Sequence, residues 1–402
     1  MIHRMEARLF VLINLFIVII VTGSDFSATR NAEIDQLLKK LNKPAIKSIK
    51  SPDGNIIDCV HMKNHPIYDH PLFKNHTIQM RPSFHPEGWN NVSVNIEKET
   101  SMETQPWTIN GRCPKNSIPI IRTRREDIIR AKSIERYGKK DFHIHQPQQA
   151  NRNINHEHAQ IIVKGKFHGA KALVNVWKPS VQTTKEFSLA QIWFVAGPFS
   201  ETNSIEVGWQ VYPNRYGDNN PHYFIYWTAD GYNNTGCYNL ACPGFVQVNQ
   251  NFAIGGTVRD ISVLNGQQYH IPITIWKDPH SGNWWLKIST NIIVGYWPAS
   301  LFNHLQDAAS EIQWGGEIID YRDYSKHTKT EMGSGRFAEE GYKKSSFFRN
   351  IEIIDEGNTT LQPVGAYPFM TRKNCYNVDP GIHPVWGTFF YYGGPGRNRK
   401  CR

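Results

Sequence analysis

The sequence has little that would build a helical protein. Only "NAEIDQLLKKLNKPAIKSIKS", with Ile34, Leu37, Leu38 and Leu41 at helical spacing, and "ASLFNHLQDAASEI" read as helix, and both are short. No tandem repeat of fixed period and no low-complexity tract is present, which excludes repeat arrays. After the N-terminal stretch no segment is apolar enough to span a bilayer. There is no G-x-S-x-G elbow, although a Ser/His/Asp triad needs no adjacency and stays open. The C-x4-C pair in "CYNLAC" has no matching second half, so it reads as a local disulfide, not half of a zinc site. The net charge of +10 would suit nucleic acid, but the basic residues are not gathered into a groove-reading motif.

What is there points to the secretory pathway. "MIHRMEAR" carries positive charge, "LFVLINLFIVIIVTG" is an unbroken apolar run too short for a spanning helix, and small residues follow. Residues 1–23 are therefore expected to be a cleaved signal peptide, giving a secreted, extracellular protein with no membrane attachment. Six cysteines make an even count suited to an oxidising compartment. Cys59 and Cys113 are the two in the N-terminal block and are expected to pair, as are Cys237 with Cys242 and Cys375 with Cys401. Sequons at Asn75, Asn91, Asn233 and Asn358 agree with that route.

Residues 24–120 form one block, and 121–153 a basic and polar connector. The connector contains "IIRTRREDIIRAKSIERYGKK" and is read as solvated and open to proteases. His143, His145, His156 and His158 lie at its end. They could chelate a metal, but a processing segment is the plainer account of them, and no metal is implied. From 154 to 402 short apolar runs alternate with turn signals, and "DPHSGN" is the clearest hairpin turn. That texture predicts an all-β fold, an antiparallel β-sandwich, preceded by a small mixed domain.

Two of its strands share a pattern. In "SIEVGWQVYP", Ile205, Val207, Trp209 and Val211 alternate as the apolar face, leaving Glu206, Gly208 and Gln210 on the other. In "EIQWGGEIID", Ile312, Trp314, Gly316 and Ile318 form one face, and Glu311, Gln313, Gly315 and Glu317 the other. Each strand thus sets a glutamate beside a same-face glycine, where bare backbone would let a substrate chain approach. Two carboxyls close together can share a proton, one taking a proton from water and the other giving one to a leaving group. Exposed strands also carry Glu and Gln with no such role.

Several longer motifs together resemble the neprosin family: "SIEVGWQVYP", "YFIYWTADGYNNTGCYNLACPGFVQ", "IWKDPHSGNWWL", "VGYWPASLF", "WGGEI", "MGSGRFAEEGYKKSSFFRNIEI" and "VWGTFFYYGGPG". "IDQLLKKLNKPAIKSI" and "CPKNSIPIIRTRRED" look like the family's activation peptide. The resemblance implies a secreted glutamic endopeptidase that is made as a zymogen and cleaves after proline in acid. It places the catalytic glutamates on Glu206 and Glu317, with proline-containing peptides as substrates, the protein's own propeptide as intramolecular inhibitor, and no cofactor. A monomer is expected. Two readings stay open beside it: a glycosidase using the same two acids, and a non-catalytic β-sandwich that binds cell-wall polysaccharide.

Overall fold

The computed structural model describes residues 28–86, 105–131, 133–140, 154–321 and 326–402. The signal-peptide region, Asn91, His143 and His145 lie outside the described residues. The amphipathic run near the start forms a helix over residues 28–41, with Ile34 turned inward. Ala45–Lys50 (β1), Ile56–His61 (β2) and Ser117–Ile121 (β3) then make a three-stranded antiparallel sheet in the order β1-β2-β3. Cys59 on β2 bonds to Cys113, so the disulfide closes within this N-terminal block.

The remaining strands form one continuous, folded-over antiparallel sheet. They are Ile154–Asn175 (β4), Ser188–Ala196 (β5), Asn203–Val211 (β6), His222–Thr228 (β7), Val246–Gln247 (β8), His270–Lys277 (β9) and Trp284–Ile288 (β10). Ile292–Trp297 (β11), Ala309–Tyr321 (β12), Ser346–Asp355 (β13), Thr360–Leu361 (β14), Tyr367–Met370 (β15), Asn377–His383 (β16) and Gly387–Gly393 (β17) complete it. The main path runs β7-β6-β5-β12-β4-β9-β10-β11-β8. β4, 22 residues long, is the hinge: its first half lies between β12 and β15, its second between β9 and β13. A register shift between Ala309 and Glu311, opposite Lys164 and Phe167, marks where it turns from one layer to the other. The two layers close as a β-sandwich over one core that includes Trp209, Trp276, Trp284, Trp285, Trp297 and Trp314. Cys237–Cys242 and Cys375–Cys401 bond as expected.

Two expectations are corrected. "ASLFNHLQDAASEI" is not a helix: after a single turn at Ala299–Leu301 the chain runs irregularly into β12. Tertiary contacts override the weak local preference, because Phe302 and Leu305 bury in the core while Asn203 Oδ1 accepts from the backbone N–H groups of His304 and Leu305. Nor is the basic run merely solvated. Arg122 pairs with Asp58, Arg125 with Asp35 and Arg130 with Asp127, and Arg125–Arg130 is a short helix. The run's described residues pack on the sandwich, where Arg130 Nε donates to Asn214 O.

Candidate active site

Apolar alternation decides which face of each strand looks into the core, and the opposite faces of β4 to β7 make the candidate site. On β6, Ile205, Val207, Trp209 and Val211 enter the core and Glu206, Gly208 and Gln210 face the other way. On β12, Ile312, Trp314 and Ile318 enter the core, and Glu317 faces with Glu206. The register makes the placement explicit. Glu206 lies opposite Trp193 of β5, which lies opposite Gln313; Glu317 lies opposite Leu189, which lies opposite Gln210. The two glutamates are therefore diagonal across β5, four residues out of step, with Gln191 between them.

The glycines are not open space. A Cβ on Gly208 would come within 1.9 Å of Ala190 O and 2.7 Å of Gln191 Cα, and one on Gly315 within 2.4 Å of Ala159 O and 2.5 Å of Gln160 Cβ. They allow the strands and the Gln191 and Gln160 side chains to approach closely, which is a packing role in place of the substrate-access role read from the sequence.

Each carboxylate has a basic side chain against it, Lys140 at Glu206 and His156 at Glu317. Glu206 is fully buried and accepts from Tyr232 Oη at 2.8 Å, Ser204 Oγ at 2.9 Å and Gln191 Nε2 at 3.1 Å. The ammonium of Lys140 contacts the same Oε2 as Gln191, and its charge sits 4.8 Å from the Tyr226 ring centroid and 5.5 Å from that of Tyr232. Burial, and then the Glu206 charge, raise the Tyr232 phenol well above its ordinary value, so it stays a donor. Lys140 comes from the segment that precedes the sandwich. Nothing in the sequence marks it.

Glu317 is 2 % exposed and contacts His156 Nδ1, with His158 Nε2 3.8 Å away. Burial pushes its carboxyl up, but the charges of His156, His158 and Lys140 outweigh burial and hold it well below the usual carboxylate range. The expected place of His156 and His158 in a processing connector is thus overturned: both lie on β4, paired with Ile319 and Glu317 of β12. The available signal was alternation, since His156, His158, Gln160 and Ile162 continue one face of that strand backwards. Between them, on the opposite face, Glu157 is spent on Arg372 at 2.8 Å and His327 at 2.9 Å, a buried ion-pair network. A further His327 grouping contains only the bonded Cys375 and Cys401, which offer no thiolate.

Phe187, Leu189, Trp193, Phe224, Tyr226, Tyr238 and Ile319 form a second apolar cluster on the carboxylate face, separate from the core. The site is thus an aromatic-walled polar strip, covered at Glu206 by Lys140. A family model described as Neprosin matches residues 184–395, and one described as Neprosin activation peptide matches residues 48–162. The chain belongs to the neprosin family. The neprosin match contains both glutamates, and the activation-peptide match runs past Lys140 and ends inside β4. Among solved structures, scytalido-glutamic peptidase with a transition state analog inhibitor is similar at 13% identity and a TM-score of 0.34, over 60% of this chain and 98% of that one. SCP-B, a member of the Eqolisin family of peptidases in a complex with the tripeptide Ala-Ile-His, is similar at 12% identity and a TM-score of 0.31, over 59% and 96%.

Proposed function

We propose that this neprosin-family chain is a secreted glutamic endopeptidase, made as a zymogen, that hydrolyses peptide bonds on the carboxyl side of proline in acid. The observation that carries it is the diagonal pair Glu206 and Glu317 on one sheet face, with Lys140 of the preceding segment seated on Glu206. Two buried carboxyls can divide the proton traffic of hydrolysis, one acting as base toward water and the other as acid toward the amide. A lysine occupying one of them keeps the pair from working until the segment leaves. The aromatic wall of Trp193, Tyr226 and Phe187 supports the prolyl preference, because flat rings pack well on a pyrrolidine. Residues 1–23 would direct secretion, and Asn75, Asn233 and Asn358 stand on exposed or half-buried turns where glycans can attach.

The cut that releases the enzyme falls between Lys140 and Ile154. β4 supplies the middle of the sheet and both histidines beside Glu317, so a cut within it would dismantle the site. Because Cys59–Cys113 closes inside the N-terminal block, one cut frees that block without reduction.

The test uses full-length protein, acidified and then given a proline-rich peptide and, separately, a plant cell-wall polysaccharide. Peptide cleavage after proline is expected, and Glu206→Gln or Glu317→Gln should each lower it by roughly 10²–10⁴-fold, as removal of a general acid or base does. The double variant should lose little more, because groups acting as a unit are non-additive. Cleavage that survives either substitution above about a tenth, or attack on the polysaccharide alone, rejects the proposal.

A further inference from the structure

Antiparallel pairing sets His158 directly opposite Glu317 and His156 two residues along, so both imidazoles rise from the same face as the carboxylate. His156 Nδ1 contacts Glu317 Oε1, and His158 Nε2 lies 3.8 Å from that same oxygen. The two rings stack with centroids 6.4 Å apart and planes 24° apart. Phe187 meets His156 edge-on at 5.7 Å and Trp193 tilts against His158 at 6.2 Å, so aromatic neighbours hold both rings in place. Glu206 differs: apart from Lys140, its hydrogen-bond donors are neutral, from Ser204, Tyr232 and Gln191.

We propose that His156 and His158 are positioning residues that commit Glu317 to the role of general base and leave Glu206 as the acid. The inference rests on the glutamic-peptidase reading and assigns roles within it. A carboxylate flanked by two imidazolium rings keeps its charge where an ordinary one would be protonated, and the charges of His156 and His158 help to hold Glu317 well below the usual carboxylate range. The remaining groups near Glu317 do not oppose this. Opposite Glu317, β5 presents Leu189, with the uncharged Gln191 and Trp193 on the same face, and Glu157, on the far face of β4, is already paired with Arg372 and His327. Burial lowers His158, Glu317 raises it, and His156 and Lys140 lower it again. Removal of the Lys140 segment therefore favours the charged form of His158. The same removal takes the Lys140 ammonium away from Glu206 and leaves the neutral donors Ser204, Tyr232 and Gln191 against it.

The step balances. Glu317 takes a proton from water as the water oxygen bonds to the peptide carbon. The carbonyl π pair moves onto its oxygen, which accepts a hydrogen bond from the protonated Glu206. On collapse that electron pair returns, the C–N bond breaks, and the nitrogen leaves with the Glu206 proton. Glu317 now carries the proton and Glu206 the charge; Glu317 gives its proton to solvent water and Glu206 takes one from it, which resets the site.

The test is the pH dependence of kcat/KM on a proline-containing peptide, for processed wild type, His156→Gln, His158→Gln and the double variant. The acidic limb, where the base becomes protonated, should move up by about one pH unit or more in the double variant. That makes it roughly tenfold slower than wild type at the acidic end, with little change near the alkaline limb. His158→Lys, which keeps a cation, should hold the limb near its wild-type position. As a readout independent of turnover, the Glu317 carboxyl can be titrated by carbon-13 NMR in full-length Glu206→Gln. It should remain ionised below the ordinary carboxylate range, and rise when both histidines are replaced. A wild-type bell whose acidic limb does not move, or a Glu317 that titrates as an ordinary glutamate beside intact histidines, overturns the inference and leaves the peptidase reading standing. Absence of any peptide cleavage by wild type overturns both.

Discussion

Lys140 is only 7 % exposed, and its ion-pair partner Glu206 is fully buried. Neither group could stand there alone, since removing one member of a buried pair costs about 3–5 kcal/mol. The ion pair exists only while Glu206 is ionised. Without the Glu206 carboxylate the ammonium would be stranded in an aromatic pocket, so this pair is the seat of the segment that carries Lys140. Lys140→Met is therefore expected to loosen that segment at neutral pH. Limited proteolysis should cut the variant between Lys140 and Ile154 at least tenfold faster than the wild-type chain, the equivalent of about 1.4 kcal/mol. In a Glu206→Gln background, where the carboxylate is already gone, the same substitution should add little. Equal cutting of wild type and Lys140→Met at neutral pH would show that the lysine is not what holds the segment.

At the scale of the strand, the close approach of β6 to β5 and of β12 to β4 depends on two glycines that the sequence pattern shows but misinterprets. Gly208→Ala and Gly315→Ala each drive a methyl group into a neighbouring backbone carbonyl, at 1.9 Å and 2.4 Å. A paired backbone cannot step aside as a flexible side chain can, so each variant should lose roughly 1–3 kcal/mol. Thermal melting of the full chain reads this directly, and an unchanged Tm for both would reject the packing role. The two glutamate strands were legible for a physical reason: their core faces are strictly apolar, so period-two alternation fixes where Glu206 and Glu317 point. The disulfides followed from cysteine count and spacing. His156 and His158 were misplaced because β4 begins in polar residues, where a carboxylate face looks like a linker. Lys140 and Gln191 were illegible, because each acquires meaning only through residues far away in sequence: Lys140 meets Glu206 across 66 positions. The short apolar run around Phe302 and Leu305 failed for the converse reason. Its spacing fits a helix turn, but the core claims both side chains first.

Across the whole molecule, the N-terminal block is fastened to the sandwich partly through histidines that must be neutral. His65 is 1 % exposed: its Nδ1 accepts from the Ile67 N–H and its Nε2 donates to Gln247 O of the sandwich. Both ring nitrogens are thus engaged in a pattern that only the neutral imidazole can make. Burial is the main cause that brings His65 down to about 3, and burial likewise lowers His70, His76 and His85. His76 Nε2 meets Tyr296 Oη at 2.8 Å, so this contact too crosses between block and sandwich. The sign follows from linkage. A histidine held below its free value binds fewer protons when docked than when released, so the docked form is favoured at high pH. For His65 that advantage is complete above about 6.5 and drains away as pH falls toward about 3, at about 1.4 kcal/mol per pH unit. Acid therefore weakens the block's grip on the sandwich. Replacing His65 with Asn keeps an oxygen to accept from the Ile67 N–H but removes the titration. His65→Asn should then release the block at a lower pH than wild type does, even though it lacks the bond to Gln247 and starts from weaker docking at neutral pH. The measurement is size-exclusion chromatography of the chain after it has been cut between Lys140 and Ile154, with the pH stepped from 7 down to 3. A variant whose release curve runs parallel to that of wild type through this window, merely displaced to higher pH, would show that His65 contributes packing alone and that the proton enters elsewhere.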